Sequence, residues 1–593
     1  MGGAGVTEPW DIDDTDLRDR AVHAASGRAA FDLLICGATI ADVATGSLYQ
    51  ADIGVCGSLI ASVHSPDTRS DAQDILSAKG LVAAPGLIDS HMHVESSMIT
   101  PETYAATILP RGVTTIVWDP HEFGNVAGVD GVAYALDSAE RSSLRILPLA
   151  PSCVPSAPGY ETAGADFTAD VLGELLARDG IVGLAEVMDM AAVTSRAPRM
   201  RAILTEGLRS GKLVCGHARS LTGAALQAYV AAGVTSDHEI VSGEDLINKI
   251  RAGLTIELRG SHPYLLPEFA RVLQSLPLMP STVTLCSDDV FPDDLLAQGG
   301  VDDMLRKMVG NGLDPMRALQ AATLNAAHRL NRRDLGQVAP GKRADIVLFD
   351  DISALNAMHV FRNGRPVTAP TTEPKVPPTF LKTCDLDVLD KQDFEIAAKG
   401  PRAKVAVIAK PRFTEWAEVI ADVQDGRIVA PAGTTRIAVV SRYAGPKVKP
   451  RVGLLRGWGD WQGAFATTVS HDCHNLTVFG RETGDMADAA NAVIEAGGGM
   501  AVACRGKITL LPLPVAGLVS SAPLATVAHS FANLRAAMDD VVQWEPPYLT
   551  FKALVGATLA CNAGPHQTDL GIADPLSGIL RASPVIEDGP SGG

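Results

Sequence analysis

Two histidines one residue apart, His91 and His93, close the run Ala-Pro-Gly-Leu-Ile-Asp-Ser-His-Met-His. Along a strand, residues i and i+2 face the same side, so both imidazoles point one way and supply half of a divalent-metal site. Four more ionisable residues end apolar segments in the same manner. They are Glu186 after Gly-Leu-Ala, His217 after Val-Cys-Gly, His238 after Ser-Asp, and Asp288 after Leu-Cys-Ser. Four imidazoles and two carboxylates brought to one place could hold two divalent ions, with a carboxylate bridging them and a water shared between. The chemistry such a site serves is hydrolysis, because a bound cation can lower the pKa of water toward about 7.

These residues need elements that end together. Strand-like runs at 81–91, 112–119, 144–152, 181–187, 212–217, 234–238, 254–259 and 282–287 alternate with helical stretches such as 101–109, 167–177, 200–210 and 223–232. Eight such units in about 250 residues predict an α/β chain with a closed (β/α)8 barrel over 85–334, in which reactive groups sit at the C-terminal ends of the strands. Short β-like runs on either side, at 31–84 and 335–370, predict a discontinuous small β-sandwich domain, with a hairpin turn at Asn363-Gly364. The Pro/Thr-rich stretch 366–378 opens a linker region at 371–400. A separate C-terminal α/β domain follows at 401–593, with strands expected at 405–408, 436–440, 477–480 and 507–513 and helices at 485–496 and 530–542. Residues 1–30, acidic between Asp11 and Asp19, read as an arm or short helix outside any core.

Composition narrows the partners. Lys plus Arg total 50 against 68 Asp plus Glu, a net charge of −18, which is the wrong sign for nucleic acid or an anionic membrane. No apolar run reaches the roughly 18 residues needed to cross a bilayer, and the start lacks the apolar core of a signal peptide, so the expected location is the cytoplasm. Nine scattered cysteines without a Cys-x-x-Cys pair indicate neither a disulfide framework nor a thiolate zinc site.

The ordered set from Pro-Gly-Leu-Ile-Asp-Ser-His-Met-His to Asp288 resembles the amidohydrolase superfamily. His-Met-His-Val-Glu-Ser-Ser-Met at 91–98, Trp-Asp-Pro-His-Glu at 118–122, Pro-Ser-Cys-Val-Pro-Ser at 151–156 and Val-Ser-His-Asp-Cys-His-Asn at 469–475 resemble its bacterial adenine deaminase branch. The likeness covers nearly all of the chain after about residue 31. It implies that His91, His93 and Asp288 hold one metal, His217 and His238 the other, and that Glu186 bridges them. Manganese or iron is the implied pair, with zinc also compatible. The implied reaction is conversion of adenine to hypoxanthine and ammonia by a metal-bridged hydroxide attacking C6, with Asp288 relaying the proton to the leaving amine. Metal ligands alone leave two alternatives open: a cyclic-amide hydrolase of the dihydroorotase or hydantoinase kind, and a non-catalytic purine-binding relic.

Other polar residues near the strand ends take supporting roles in this reading. His121 and Glu122 are candidates to orient ligands or to hold an accessory ion. Arg259, with Ser261 and His262, is placed to touch substrate, whereas Glu95 and Asp289 are expected to support the ligands they adjoin. The loop 155–160 with Glu161 either closes over a purine or serves packing. His471 and His474, whose His-x-x-His spacing is not that of a metal pair on a helix face, are expected in a loop that closes the pocket or seals a subunit contact. The expected assembly is a homo-oligomer, with a dimer favoured.

Overall fold

The computed structural model describes residues 14–368, 373–411, 413–544, 551, 554 and 556–588. Its first sheet is built by chain segments some 260 residues apart. Phe31–Asp42 pairs antiparallel with Ser47–Cys56 and parallel with Ala72–Ser77 and Val82–Pro85. Ile346–Phe349 then returns to pair antiparallel with Val82–Pro85, and Ala357–Arg362 adds to it. The turn after Ala357–Arg362 has Asn363 at φ 51° and Gly364 at φ 73°, the two positive values that a tight Asn-Gly hairpin turn requires.

The N-terminal segment is not a free arm. Residues 1–13 lie outside the described residues, but Thr15–Ala25 is a helix capped by Asp14. It buries Leu17, Ala21 and Ala24 against Phe31, Leu34 and Leu59. Three apolar residues at helical spacing suffice to seat one face, and the surrounding acids concealed them in the sequence.

Eight parallel strands follow: β1 (Leu87–Met92), β2 (Val113–Trp118), β3 (Arg145–Pro148), β4 (Gly183–Val187), β5 (Leu213–Gly216), β6 (Ser236–Asp237), β7 (Thr255–Arg259) and β8 (Val283–Cys286). β1 pairs β2 and β2 pairs β3, all parallel. Ala150 bridges to Leu184, and β4 pairs β5. The Thr235 amide donates to the Val214 carbonyl just before β6, which pairs β7, and β7 pairs β8. A parallel bridge from Asp288 to Met92 leads back to β1. These pairings and bridges bring the C-terminal ends of the strands, and the residues just after them, toward one another.

The expected first strand, 81–91, is two strands. Val82–Pro85 belongs to the small sheet, and β1 begins after Gly86. A Cβ on Gly86 would lie 2.2 Å from Thr114 Oγ1, so only glycine lets the chain pass from one sheet to the other there. Expected strand 234–238 shrinks to the two residues of β6.

The C-terminal part contains a ten-stranded sheet in which Arg402–Ala409, Thr434–Val440 and Leu476–Gly480 are inner strands. Glu415–Gln424 is an additional strand near the sheet edge; its exposed charges hid its alternation. Arg451–Arg456, Ala464–Thr467 and Gly499–Cys504 are likewise strands beyond the four expected. Helices Thr483–Glu495 and Leu524–Val541 pack on it, the second starting six residues earlier than its apolar spacing suggested.

The segment 373–400 is not a loose tether, and residues 369–372 lie outside the described ones. Phe380 is buried, stacked on Phe123 at 5.8 Å and edge-on to Tyr134 at 5.5 Å. One large aromatic in a proline-rich stretch converts it into a strap across the helix after β2. Among the described residues no helix is long and apolar enough to cross a membrane.

The strand ends are tied by a buried cation. Lys249, in helix Gly243–Arg251, is fully buried, with Nζ 2.7 Å from Asp237 Oδ2 and 3.0 Å from Asp245 Oδ2, and it donates to the Glu239 carbonyl. Asp237 Oδ1 in turn accepts from the amides of Ala218 and Glu239. Removing the cation alone leaves carboxylates buried without a partner. Lys249→Met is therefore expected to cost about 3–5 kcal/mol, read as a lowered midpoint in chemical unfolding.

Candidate active site

The structure gathers the six residues that end the strands. Asp288 adopts φ 58°, a left-handed conformation that Asp tolerates better than most residues, immediately after β8. Its Oδ1 lies 3.6 Å from His93 Nε2 and 3.8 Å from His91 Nε2. Glu186 Oε1 is 3.5 Å from His93 Nε2, while its Oε2 is 2.7 Å from His217 Nδ1 and 3.3 Å from His238 Nε2. The His91 and His238 rings stack at 4.3 Å. All six side chains are buried.

Such a set fits cations better than it fits itself. His91 Nε2, His217 Nε2 and His238 Nδ1 are buried without a hydrogen-bond partner, an arrangement that native interiors rarely leave unanswered. The ligand atoms of His91, His93 and Asp288 lie within 4.8 Å of one another, as do those of His91, Glu186 and His238. Imidazole nitrogens and carboxylate oxygens suit first-row divalent ions such as manganese, iron and zinc.

Charge in the cluster is finely opposed. Burial drives the His91 imidazole down to about 3, with His238 and His93 adding to the effect. Burial works the same way on His238, yet the Glu186 carboxylate outweighs it and lifts the ring to about 9. Burial would raise the Asp288 carboxyl, but the Arg259 guanidinium wins and holds it well below the ordinary range. Arg259 Nη1 donates to Asp288 Oδ2 at 3.0 Å, and Ser261 Oγ donates to the same oxygen at 2.8 Å.

The other candidates separate by position. Arg259, His262 and Asp289 line the cavity, with Ser96 Oγ donating to Asp289 Oδ1. His262 Nδ1 lies 3.1 Å from Ser261 Oγ. Glu95 is not on the cavity wall; it accepts from Trp118 Nε1 at 2.8 Å and from the Phe123 amide, fixing the turn after β2. His121 and His471 face the cavity, while Glu122 and His474 stand behind them. Val469, Asp472, Phe551, Leu559 and Asn562 also line it, so the C-terminal part of this same chain walls the cavity.

Glu239 was missed by sequence reasoning although it directly follows His238. It grips Arg259 through two hydrogen bonds of 2.6 and 2.8 Å and lines the cavity. Asp119 and Asp472 were quoted only inside motifs, and both are buried with unpartnered carboxylate oxygens. In each case the signal was a second ionisable residue beside a histidine.

Residues 82–371 match the Amidohydrolase family and residues 411–577 match the Adenine deaminase C-terminal domain. The fold and the site define an α/β amidohydrolase, a hydrolase. "Adenine deaminase 2" of Rhizobium meliloti (strain 1021) is 59% identical over 98% of this chain and 99% of its own length. "Adenine deaminase 2" of Agrobacterium fabrum is 57% identical over 98% of both chains, and "Adenine deaminase" of Klebsiella pneumoniae (strain 342) 48% identical over 94% of both. The chain belongs to the adenine deaminase family.

Glu161 belongs to the packing beneath the lid loop. Its Oε1 accepts from Ser156 Oγ at 2.8 Å and from the Ala157 amide at 2.7 Å. Burial, aided by Asp472, raises this carboxyl from its ordinary 4.5 to about 7. A raised carboxyl pKa means that the folded chain holds the proton more tightly than the unfolded one. That contribution is fully present below pH about 4.5 and is lost as pH rises through about 7. Glu161→Gln cannot titrate and is expected to remove this part of the pH slope in thermal unfolding. An unchanged slope would mean that Glu161 is already ionised in the folded chain.

Proposed function

We propose that the chain hydrolyses adenine to hypoxanthine and ammonia at the mouth of a (β/α)8 barrel spanning about 85–334. In this reading a small β domain from both flanks (31–84 and 335–370) supports the barrel, and the C-terminal domain (401–593) covers it. The observation that carries the proposal is the convergence of the six strand-end residues, five of them lining a cavity and His91 packed behind, with His471 and Asp472 from the segment matching the adenine deaminase C-terminal domain also on the cavity wall. His91, His93 and Asp288 would hold one divalent ion, His217 and His238 a second, and Glu186 both. When bound, such ions lower the pKa of water toward about 7 and so make a nucleophile available at neutral pH.

The chain's own residues do the rest. Arg259 and Ser261 fix one oxygen of Asp288 and keep it ionised, so the carboxylate can accept a proton and return it to the departing amine. Glu239 holds Arg259 in place by its two hydrogen bonds, which leaves Asp288 one fixed orientation. Phe291, Phe551, Met98 and Met188 give the cavity apolar walls suited to a flat heteroaromatic ring, and Arg219, Glu239 and His262 offer hydrogen bonds at its edge.

Chelated protein reloaded with manganese is expected to release ammonia from adenine and to do so poorly from adenosine. Exclusive ring opening of dihydropyrimidine-like amides would overturn the reading. Asp288→Asn is expected to retain adenine binding within several-fold while turnover falls by about 10³-fold or more. Turnover near that of the unaltered chain would remove Asp288 from proton transfer.

A further inference from the structure

We infer that a third divalent-cation site, separate from the pair proposed above, joins the barrel mouth to the C-terminal domain and is built by His121, Glu122, His471 and Asp472. Two of these residues follow β2 and two lie in the loop 469–475, some 350 positions later. His121 Nε2 lies 3.8 Å from Glu122 Oε1 and 3.9 Å from Asp472 Oδ1, and Asp472 Oδ1 lies 3.6 Å from His471 Nδ1. Donor bonds of about 2.0–2.2 Å set ligand atoms about 3.0–4.4 Å apart, depending on the angle at the ion. All three separations fall inside that range, too long for hydrogen bonds and right for a shared cation.

Burial makes the case independent of spacing. His121, Glu122 and Asp472 retain 2%, 1% and 1% exposure. His121 Nε2, both oxygens of Glu122 and both oxygens of Asp472 have no hydrogen-bond partner among the described residues. Two buried carboxylates in that condition carry a large desolvation cost, and a cation between them removes it.

The tautomers agree. His121 Nδ1 faces Asp119 Oδ2 at 3.2 Å and Glu186 Oε1 at 3.5 Å. A ring that turns its Nδ1 hydrogen toward a carboxylate leaves the Nε2 lone pair for a metal, the usual arrangement behind a ligating histidine. The neighbouring His474 is different. Its Nδ1 accepts the Ser470 amide, so Nε2 carries the hydrogen and neither nitrogen has a lone pair left for a cation. Mixed imidazole and carboxylate donors select manganese, iron or zinc over calcium or magnesium. An ion held there would clasp the lid loop to the barrel without taking part in the chemistry of the pair.

The test uses the full chain, chelated, reloaded with Mn2+ and desalted, with no adenine present. Crystals measured at the manganese edge are expected to show three anomalous peaks per chain, one of them among the four named residues. Metal analysis is expected to give three equivalents, falling to two in both Glu122→Gln and Asp472→Asn. Anomalous peaks confined to the six strand-end ligands would overturn the site, as would density among the four residues that lacks anomalous signal. Because the map reads the unaltered chain, a variant that fails to fold does not decide the question. Because it needs no turnover, the result is separate from the adenine assay.

Discussion

Everything at the strand ends follows from one constraint: ionisable groups are packed a few ångströms apart with their side chains buried. Glu186 stands within 3.5 Å of nitrogens on His93, His217 and His238, and Asp288 within 3.8 Å of His91 and His93. Such a cluster repels itself whenever its protonation is wrong, and its neighbours exist to fix that state. Arg259 answers Asp288 and Glu239 together, and Lys249 answers Asp237, the last residue of the strand that leads into His238. Asp89, two residues before His91, takes the Ser287 amide and hydroxyl, locking β1 to the residue before Asp288. Each of these contacts is spent on holding a ligand at a fixed angle rather than on general cohesion.

The same constraint explains why the C-terminal part of the chain is pressed so closely against the strand ends. A mouth left open to solvent would hydrate the carboxylates and weaken every interaction among them. Phe380 straps the helix after β2, Phe291 packs against Phe531 and Phe551, and Arg535 reaches Asp293 and Asp294 across the interface. The lid is thus continuous with the core beneath it, and the lid loop brings its own ionisable residues to the site.

How much of this could be read from the amino-acid order depends on the kind of signal. His91, His93, Glu186, His217, His238 and Asp288 were legible because a parallel strand ends abruptly and the residue at its end is conspicuous against an apolar run. The hairpin at Asn363-Gly364 was legible because few dipeptides accept two positive φ values. Glu239, Asp119 and Asp472 were not, since each sits beside a histidine that drew the attention and nothing local says whether an acidic neighbour turns inward. The seat of the N-terminal helix and the strap at Phe380 were hidden for a related reason. A few apolar residues in an acidic or proline-rich stretch acquire meaning only when the surface they cover is known. Glu95 reads as a support for the ligand it adjoins, and what the order of residues does not disclose is its partner: the tight turn at Val94–Ser97 directs it to Trp118.

Hydrolytic power and choice of substrate therefore reside in different parts of the chain. A cluster of imidazoles and carboxylates like that at the strand ends is as compatible with cleaving amides as with cleaving amidines, and nothing in its geometry distinguishes the two. Discrimination has to come from groups that touch the rest of the substrate. In this cavity those groups are divided between barrel residues such as Arg219 and His262 and lid residues such as Val469, Phe551, Leu559 and Asn562. A lid held by packing alone would let those contacts drift. An interface that combines aromatic stacking, the Arg535 ion pairs and a buried polar cluster at His121 and Asp472 restrains them from several sides, which is what telling a hydrogen bond to one ring edge from a near miss demands.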